Sequence, residues 1–325
     1  MTQAAFHVTG VLSMDHLTQA GQEMFCAGSS GLYVSVALAR LGHPVNFWSQ
    51  VGPDFHWHLL EPLRPDGIVW QLRSVPGASA RLSIDYDAAG HISRFHYDPG
   101  VGRGLRADAL DAGFWSAPCV WLGAALPDYH LDVARRSAQA GQAAYLSPQG
   151  DYDGQWPDFE PILPHLSGVF MNSREVQALY GAPLAEAVQT LCAGRSDLLC
   201  SVTCGERGAL LAWRDRLHRV SACRMPLVNA TGAGDTYAAA LVHWLLVGAS
   251  TEDSLMAATL AAGLSMRSAA YWGVARESEV LAELGRKRAE LCVESAPLDS
   301  PQATEWLQAE ATAARQDAMP QRSQG

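Results

Sequence analysis

Between Cys119 and Thr203 short apolar runs alternate with helical stretches, and this alternation restricts the fold more than any other feature of the chain. Cys119–Leu122, Ala143–Leu146, Gly168–Met171 and Leu198–Thr203 read as strands. The stretches Tyr129–Gln139, Ser173–Tyr180 and Leu184–Cys192 read as helices. Strands and helices in alternation predict an α/β protein with a mainly parallel central sheet flanked by helices.

The flanking segments extend the pattern. Ala5–Leu12 reads as a buried strand ending near Asp15. Gly28–Gly42 reads as a helix opened by glycines and serines and closed by Gly42. Asn46–Val51 is expected to be a strand, and Asp54–Leu63 a helix that stops before the turn Pro65-Asp66-Gly67. Ala80–Phe95 alternates apolar and polar residues around Asp87-Ala88-Ala89-Gly90, which is a hairpin signal and suggests a small accessory sheet. A second hairpin is expected from Gly208–Trp213 and Leu217–Ala222. Helices follow near Gly232–Leu246, Thr251–Ala270 and Glu277–Cys292. From 295 to 325 the composition turns to Ala, Gln, Pro and Ser. That segment is expected to be a peripheral, partly disordered tail with a short helix near Glu305–Ala314.

Composition removes several function classes. Of 325 residues 48% are hydrophobic, enough for a full core, and the net charge is −10, which argues against an extensive nucleic-acid-binding face. Seven cysteines at irregular spacing, with no C-x-x-C pair, argue against a disulfide framework or structural zinc. No apolar run reaches membrane-spanning length, and the N-terminal run reads as a first strand rather than a leader. The expectation is a cytoplasmic protein whose partner is a small molecule, not a membrane. Lys287 is the single lysine and does not lie in a Gly-Lys-Ser/Thr context, so a Walker A loop is excluded. Any ATP site must be of another design.

One run suggests such a design: Asn229-Ala230-Thr231-Gly232-Ala233-Gly234-Asp235, with an apolar stretch before it and a helix after it. Glycines at a helix start let a ligand approach the backbone, and the free amides and helix dipole favour an anion there. The amides of Gly232, Ala233 and Gly234 could stabilise a phosphoryl group in transfer. Asp235, in the first turn, could take a proton from an attacking hydroxyl. The plainer alternative is an Asp that only complements the helix dipole.

The order of further motifs resembles PfkB-type carbohydrate kinases, a ribokinase-like family, over residues 5–290. Gly232-Ala233-Gly234-Asp235 matches the GAGD signature of that family, whose Asp is the base. Gly28 and Ala37-Leu38-Ala39-Arg40-Leu41-Gly42 match its early glycine-rich helix, and Val51-Gly52-Pro53-Asp54 its V-G-x-D. Asn172-Ser173-Arg174-Glu175 matches N-x-x-E, whose Glu organises magnesium through water. Thr203-Cys204-Gly205-Glu206-Arg207-Gly208 matches the T-x-G-x-x-G segment that borders the nucleotide. The resemblance therefore implies a ribokinase-like fold with a small β lid from about 14–25 and 78–98. It implies an ATP- and Mg2+-dependent kinase acting on a sugar or nucleoside, and a homodimer formed through the lid. It assigns Asp15, Gly28, Ser29 and Tyr33 to the acceptor; Asn172, Thr203, Gly205, Gly208, Gly232 and Gly234 to the nucleotide; and Glu175 to the metal. Read from residue chemistry alone, Asn172 and Glu175 could equally be a helix cap.

Four positions depart from the family pattern. Ser29 and Tyr33 stand where G-G-x-x-x-N has its second Gly and its Asn, so an aromatic could stack on a base or narrow the pocket. Trp57 replaces a glycine, and Ser147-Pro148-Gln149 replaces D-P-N. Asn229-Ala230 replaces Asp-Thr, which is similar to pseudouridine kinases and leans the acceptor toward a nucleoside. The same change alters any K+ site near that loop. The alternative reading is a non-catalytic PfkB-like protein that binds a sugar or nucleotide. A dinucleotide-dependent oxidoreductase is disfavoured, because Gly28-Ser29-Ser30-Gly31 lacks the G-x-G-x-x-G spacing. His56 and His58 are expected to be surface residues, and His96 and Tyr97 are candidates to face the acceptor.

Overall fold

The structure is a computed structural model that describes residues 4–19, 21–87, 92–148 and 160–318. In chain order the first half contains β1 (Phe6–Thr9), β2 (Ser13–Gln19), β3 (Gln22–Gly28), α1 (Ser30–Arg40), β4 (Val45–Val51), β5 (Val69–Ser74), β6 (Ala80–Tyr86), β7 (Ile92–Asp98), β8 (Cys119–Leu122), α2 (Pro127–Gln139) and β9 (Ala143–Leu146). The second half contains β10 (Gly168–Asn172), α3 (Ser173–Tyr180), α4 (Leu184–Cys192), β11 (Leu199–Thr203), β12 (Ala209–Trp213), β13 (Arg216–Val220), α5 (Ala233–Leu246), α6 (Thr251–Ser265), α7 (Glu277–Lys287), β14 (Val293–Pro297) and α8 (Pro301–Ala318).

Ten strands form one sheet in the order β14-β13-β12-β11-β10-β9-β8-β1-β4-β5. From β11 to β5 neighbours run parallel, and β12, β13 and β14 extend the sheet in antiparallel fashion. Helices cover both faces. Helices α1, α5 and α6 share one apolar core with β1 and β4. On the other face α4 and α8 pack over β10–β12, and α2 over β8 and β9. Strands buried on both sides need apolar residues at successive positions, which is why β8 (CVWL) is buried throughout.

Four more strands form a separate sheet in the order β3-β2-β6-β7. It is the expected lid, and β2 pairs with β6 in parallel from Ser13↔Ala80 to Gln19↔Tyr86. The tip expected at 87–90 lies largely outside the described residues.

Three expectations are corrected. The helix expected over Asp54–Leu63 is a 3₁₀ segment over Trp57–Asp66, because Pro62 and Pro65 have no N–H to donate to an α ladder. The helices expected to reach Ala270 and Cys292 end at Ser265 and Lys287. The C-terminal segment contains the helix expected near Glu305–Ala314 as the longer α8, and it also supplies part of the sheet edge β14, paired with β13, while 319–325 lie outside the described residues. Ala303, Trp306, Leu307 and Ala311 of α8 are buried against α4, at a helical spacing that the alanine- and glutamine-rich composition concealed. All seven cysteines are free. Among the described residues no helix is long and apolar enough to cross a membrane.

Candidate active site

Parallel strands end on one edge, so their last residues gather. Asn172 ends β10, Thr203 ends β11, and the two are direct partners in the ladder. Ser147 follows β9 on the same edge. These residues, with Glu175, Gly234 and Asp235, line a cavity of about 180 Å³. The carboxyl edge of the parallel strands is where open α/β sheets hold ligands.

The run from Asn229 to Asp235 is built to present backbone. Asn229 is buried, and its Oδ1 accepts the Thr231 N–H at 2.8 Å. The N–H groups of Val228 and Asn229 donate to the Met266 carbonyl at 2.8 and 3.1 Å. An Asp would accept the same bond from Thr231, so Asn229 preserves the turn. Gly232 is left-handed at φ 75° and caps α5 with no side-chain hydrogen bond. The amides of Gly234 and Asp235 therefore fall in a first turn that no side chain caps. The amide of Ala233 donates to the Ala230 carbonyl at 3.1 Å, so it does not belong to the anion-facing set expected from sequence.

Asp235 sits in this first turn, and burial, followed by the charge of Glu175, lifts its carboxyl to about 7. Glu175 is lifted to about 7 by burial, against hydrogen bonds from Asn172 that act to lower it. Asn172 and Glu175 form a capping box: Asn172 Oδ1 accepts the Glu175 N–H at 2.9 Å, and Glu175 Oε2 accepts the Asn172 N–H at 2.7 Å. The cap reading is thus realised, and it also holds a carboxylate at the cavity wall. Two carboxyls lifted chiefly by burial are suited to a site completed by positive charge. Among the described residues no three His, Cys, Asp or Glu groups cluster as a metal cage. A pair of hard oxygen donors suits Mg2+, which keeps its waters and takes phosphate oxygens.

The lid brings the other carboxylate. Asp15 on β2 is 2% exposed, and its Oδ1 accepts the Ser13 hydroxyl at 2.5 Å. Burial lifts it to about 7, against that hydrogen bond. Its Oδ2 lies so close to Gly28 that a Cβ there would stand 1.7 Å away, so any larger residue at 28 would have to displace the Asp15 carboxylate. Ser29 caps α1 through its hydroxyl, which accepts the Leu32 N–H at 3.4 Å, and thus has a structural role beside the one expected from sequence. Its φ of 113° is glycine-like. Such a φ costs about 1–3 kcal/mol, while exchanging a Ser cap for Gly costs a few tenths. Ser29→Gly is therefore expected to stabilise the protein by about 1 kcal/mol, measurable as a raised urea midpoint at unchanged m. An unchanged or lower midpoint contradicts this account.

Tyr33 is 2% exposed on α1, and its ring lies flat against Gly232. Burial, then the charges of Asp15, Cys26, Tyr86 and Asp235, hold its phenol protonated well above its ordinary range. The lid is fastened above it by two contacts: Tyr86 Oη with Thr231 Oγ1, and Gln19 Nε2 donating to the Val228 carbonyl at 2.8 Å. Asp54 anchors the base of the lid. It accepts from the Ser79 N–H at 2.8 Å and from Arg81 Nη2 at 2.9 Å.

Other expected residues are placed as follows. Thr203 lines the cavity. Gly205 and Gly208, both at positive φ, form the turn between β11 and β12 beside it. Strand register puts Tyr97 opposite Leu82 and so on the Asp15 face of the lid, while His96 is on the other face. His56, His58 and Trp57 are exposed, and Gln149 lies outside the described residues. Sequence reading missed Ser201 and Tyr237 in the cavity wall, with Tyr237 Oη accepting the Ser201 hydroxyl at 3.2 Å. It noted Ser147 only as a departure. Its place at the end of a parallel strand was the available signal.

Residues 115–270 match the pfkB family of carbohydrate kinases. Ribokinase of Lactococcus lactis subsp. lactis (strain IL1403) is 25% identical over 299 residues, 85% of this chain and 96% of the relative. The structure of Arabidopsis thaliana ribokinase complexed with ribose and ATP superposes with a TM-score of 0.75 at 21% identity, covering 87% of this chain and 99% of that one. Adenosine kinase from Sinorhizobium meliloti superposes with a TM-score of 0.72 at 19% identity, covering 88% and 99%. The architecture is ribokinase-like.

Proposed function

We propose, for a chain that carries a pfkB family carbohydrate kinase domain over residues 115–270, that it transfers the γ-phosphoryl group of ATP to a hydroxyl of a sugar or nucleoside. The observation that carries this reading is the placement of Asp235 in the uncapped first turn of α5, on a cavity shared with Glu175, Asn172 and Thr203. In this reading Asp235 takes the proton of the acceptor hydroxyl. The acceptor oxygen bonds to the γ-phosphorus, the bond from that phosphorus to the bridging oxygen breaks, and ADP leaves. The amides of Gly234 and Asp235 receive the equatorial oxygens. Asp15 orients the acceptor from the lid, and Thr203, Gly205 and Gly208 border the nucleotide. Mg2+ would be held by ATP oxygens and by waters on Glu175, and it would supply charge neutralisation. In this reading a K+ ion would sit near the loop that begins at Asn229. The lid excludes water while the phosphoryl group is in transit.

The acceptor is proposed to be a nucleoside, pseudouridine among the candidates, on the strength of Asn229 and of an aromatic at position 33. The test is Mg-ATP with a panel of pentoses, hexoses and nucleosides, read as phosphorylated product. Product from no acceptor on a broad panel would sink the kinase reading. Ligand-induced thermal stabilisation without product would support the second reading, a non-catalytic binder. That reading is favoured by one observation, the sealing of Asp15 and Tyr33 from solvent.

We also propose a homodimer through the lid. Phe25 is 63% exposed and stacks on His16, with centroids 4.3 Å apart, on the lid face away from Asp15. Sedimentation should give twice the chain mass, and Phe25→Glu should halve it. A monomer at micromolar concentration overturns the proposal.

A further inference from the structure

The space between Asp15 and the α5 turn is closed, and Tyr33 closes it. A Cβ built on Gly232 would stand 2.0 Å from Tyr33 Cδ1 and 2.4 Å from Cε1, so the ring covers the backbone at the start of α5. Asp15 and Tyr33 are each 2% exposed. Nevertheless two polar atoms in this sealed space, Asp15 Oδ2 and Tyr33 Oη, have no hydrogen-bond partner. Leaving one such atom unpaired costs about 1–3 kcal/mol, so two of them in one buried region point to groups that a ligand completes. A hydroxyl-bearing ligand supplies the missing partners, but it has no room while the ring lies on Gly232.

Resting on the kinase reading above, we propose that Tyr33 selects the acceptor. Its ring fills the acceptor subsite between Asp15 and Asp235 in the closed state, and an acceptor enters only by displacing it. The energy needed to move the ring is subtracted from acceptor affinity and leaves nucleotide affinity alone. Acceptors able to bond both Asp15 Oδ2 and the displaced phenol are favoured over those that offer a single hydroxyl. The contacts Tyr86–Thr231 and Gln19–Val228 hold the lid over the ring, so ring displacement and lid opening occur together.

The test compares the wild type with Tyr33→Ala, Tyr33→Leu and Tyr33→Phe by calorimetric titration of D-ribose and of adenosine, in parallel with Mg-ATP. Tyr33→Ala and Tyr33→Leu are expected to bind at least one acceptor tenfold more tightly, with ATP affinity changed less than twofold. Tyr33→Phe keeps the ring and is expected to retain the wild-type closure. Leu keeps apolar packing in the core should Ala prevent folding. Unchanged acceptor affinity in every folded shortened variant overturns the gate, as does a Phe variant that binds like Leu. Binding is read without turnover, so the gate stands or falls separately from the kinase reading, which fails if neither the wild type nor any variant makes phosphorylated product.

Discussion

Asp235→Asn is expected to lower kcat by about 10²–10⁴-fold, the range supplied by a positioned general base, with KM for ATP little changed. Asn has nearly the shape of Asp, so the first turn of α5 and the Gly232 cap survive. What is lost is the ability to hold a proton. The carboxyl is lifted to about 7 by burial and by Glu175, so near neutral pH it is poised to accept one. Single-turnover measurement of phosphorylated product separates this loss from a change in product release. A variant within tenfold of the wild type would remove Asp235 from the reaction.

Asp15→Asn is expected to act on stability. Asp15 is lifted to about 7 in the folded protein from a carboxylate value near 3.8, chiefly by burial. A folded value raised above the unfolded one means that the folded state holds the proton more tightly. The favourable contribution is complete below about pH 4 and is lost as pH rises through 7. At pH 8 the native carboxylate is therefore held ionised in a dry site, a penalty of up to about 4 kcal/mol for a shift of this order. Asn carries no charge, so Asp15→Asn should raise stability by about 2–4 kcal/mol at pH 8 and by little at pH 4. Urea unfolding at the two pH values measures it. Acceptor affinity should fall, since a buried carboxylate is retained at this expense for the hydroxyls it can bind. Equal stabilisation at both pH values would contradict the burial account.

Much of this was readable from the residues. Strands from Cys119–Leu122 to Leu199–Thr203 announce themselves because they are buried on both faces and are mostly apolar, with Ser201 a buried polar exception in β11. The GAGD turn and the N-x-x-E cap are local, so residue type and spacing determine them. Three features were not read, two of them because they depend on distant partners. Composition spoke for solvent at α8, and only its docking on α4 makes Trp306 a core residue. The prolines at 62 and 65 decided the 3₁₀ segment against an apolar pattern that favours a helix. The departures at Ser29 and Tyr33 were visible, but their meaning was not. Ser29 keeps a glycine-like backbone as a cap, and Tyr33 meets Gly232 from about two hundred positions away in sequence.

The lid is made from two separate excursions of the chain, β2–β3 and β6–β7, joined by the parallel ladder between β2 and β6. That ladder joins the two hairpins into a single plate. The plate carries Asp15 and Tyr86, while Asp235 and Glu175 stay on the main body. In the kinase reading proposed above, raising this plate would part Asp15 from Asp235, so water would reach the nucleotide only with the acceptor-binding carboxylate withdrawn, and idle ATP hydrolysis would be limited.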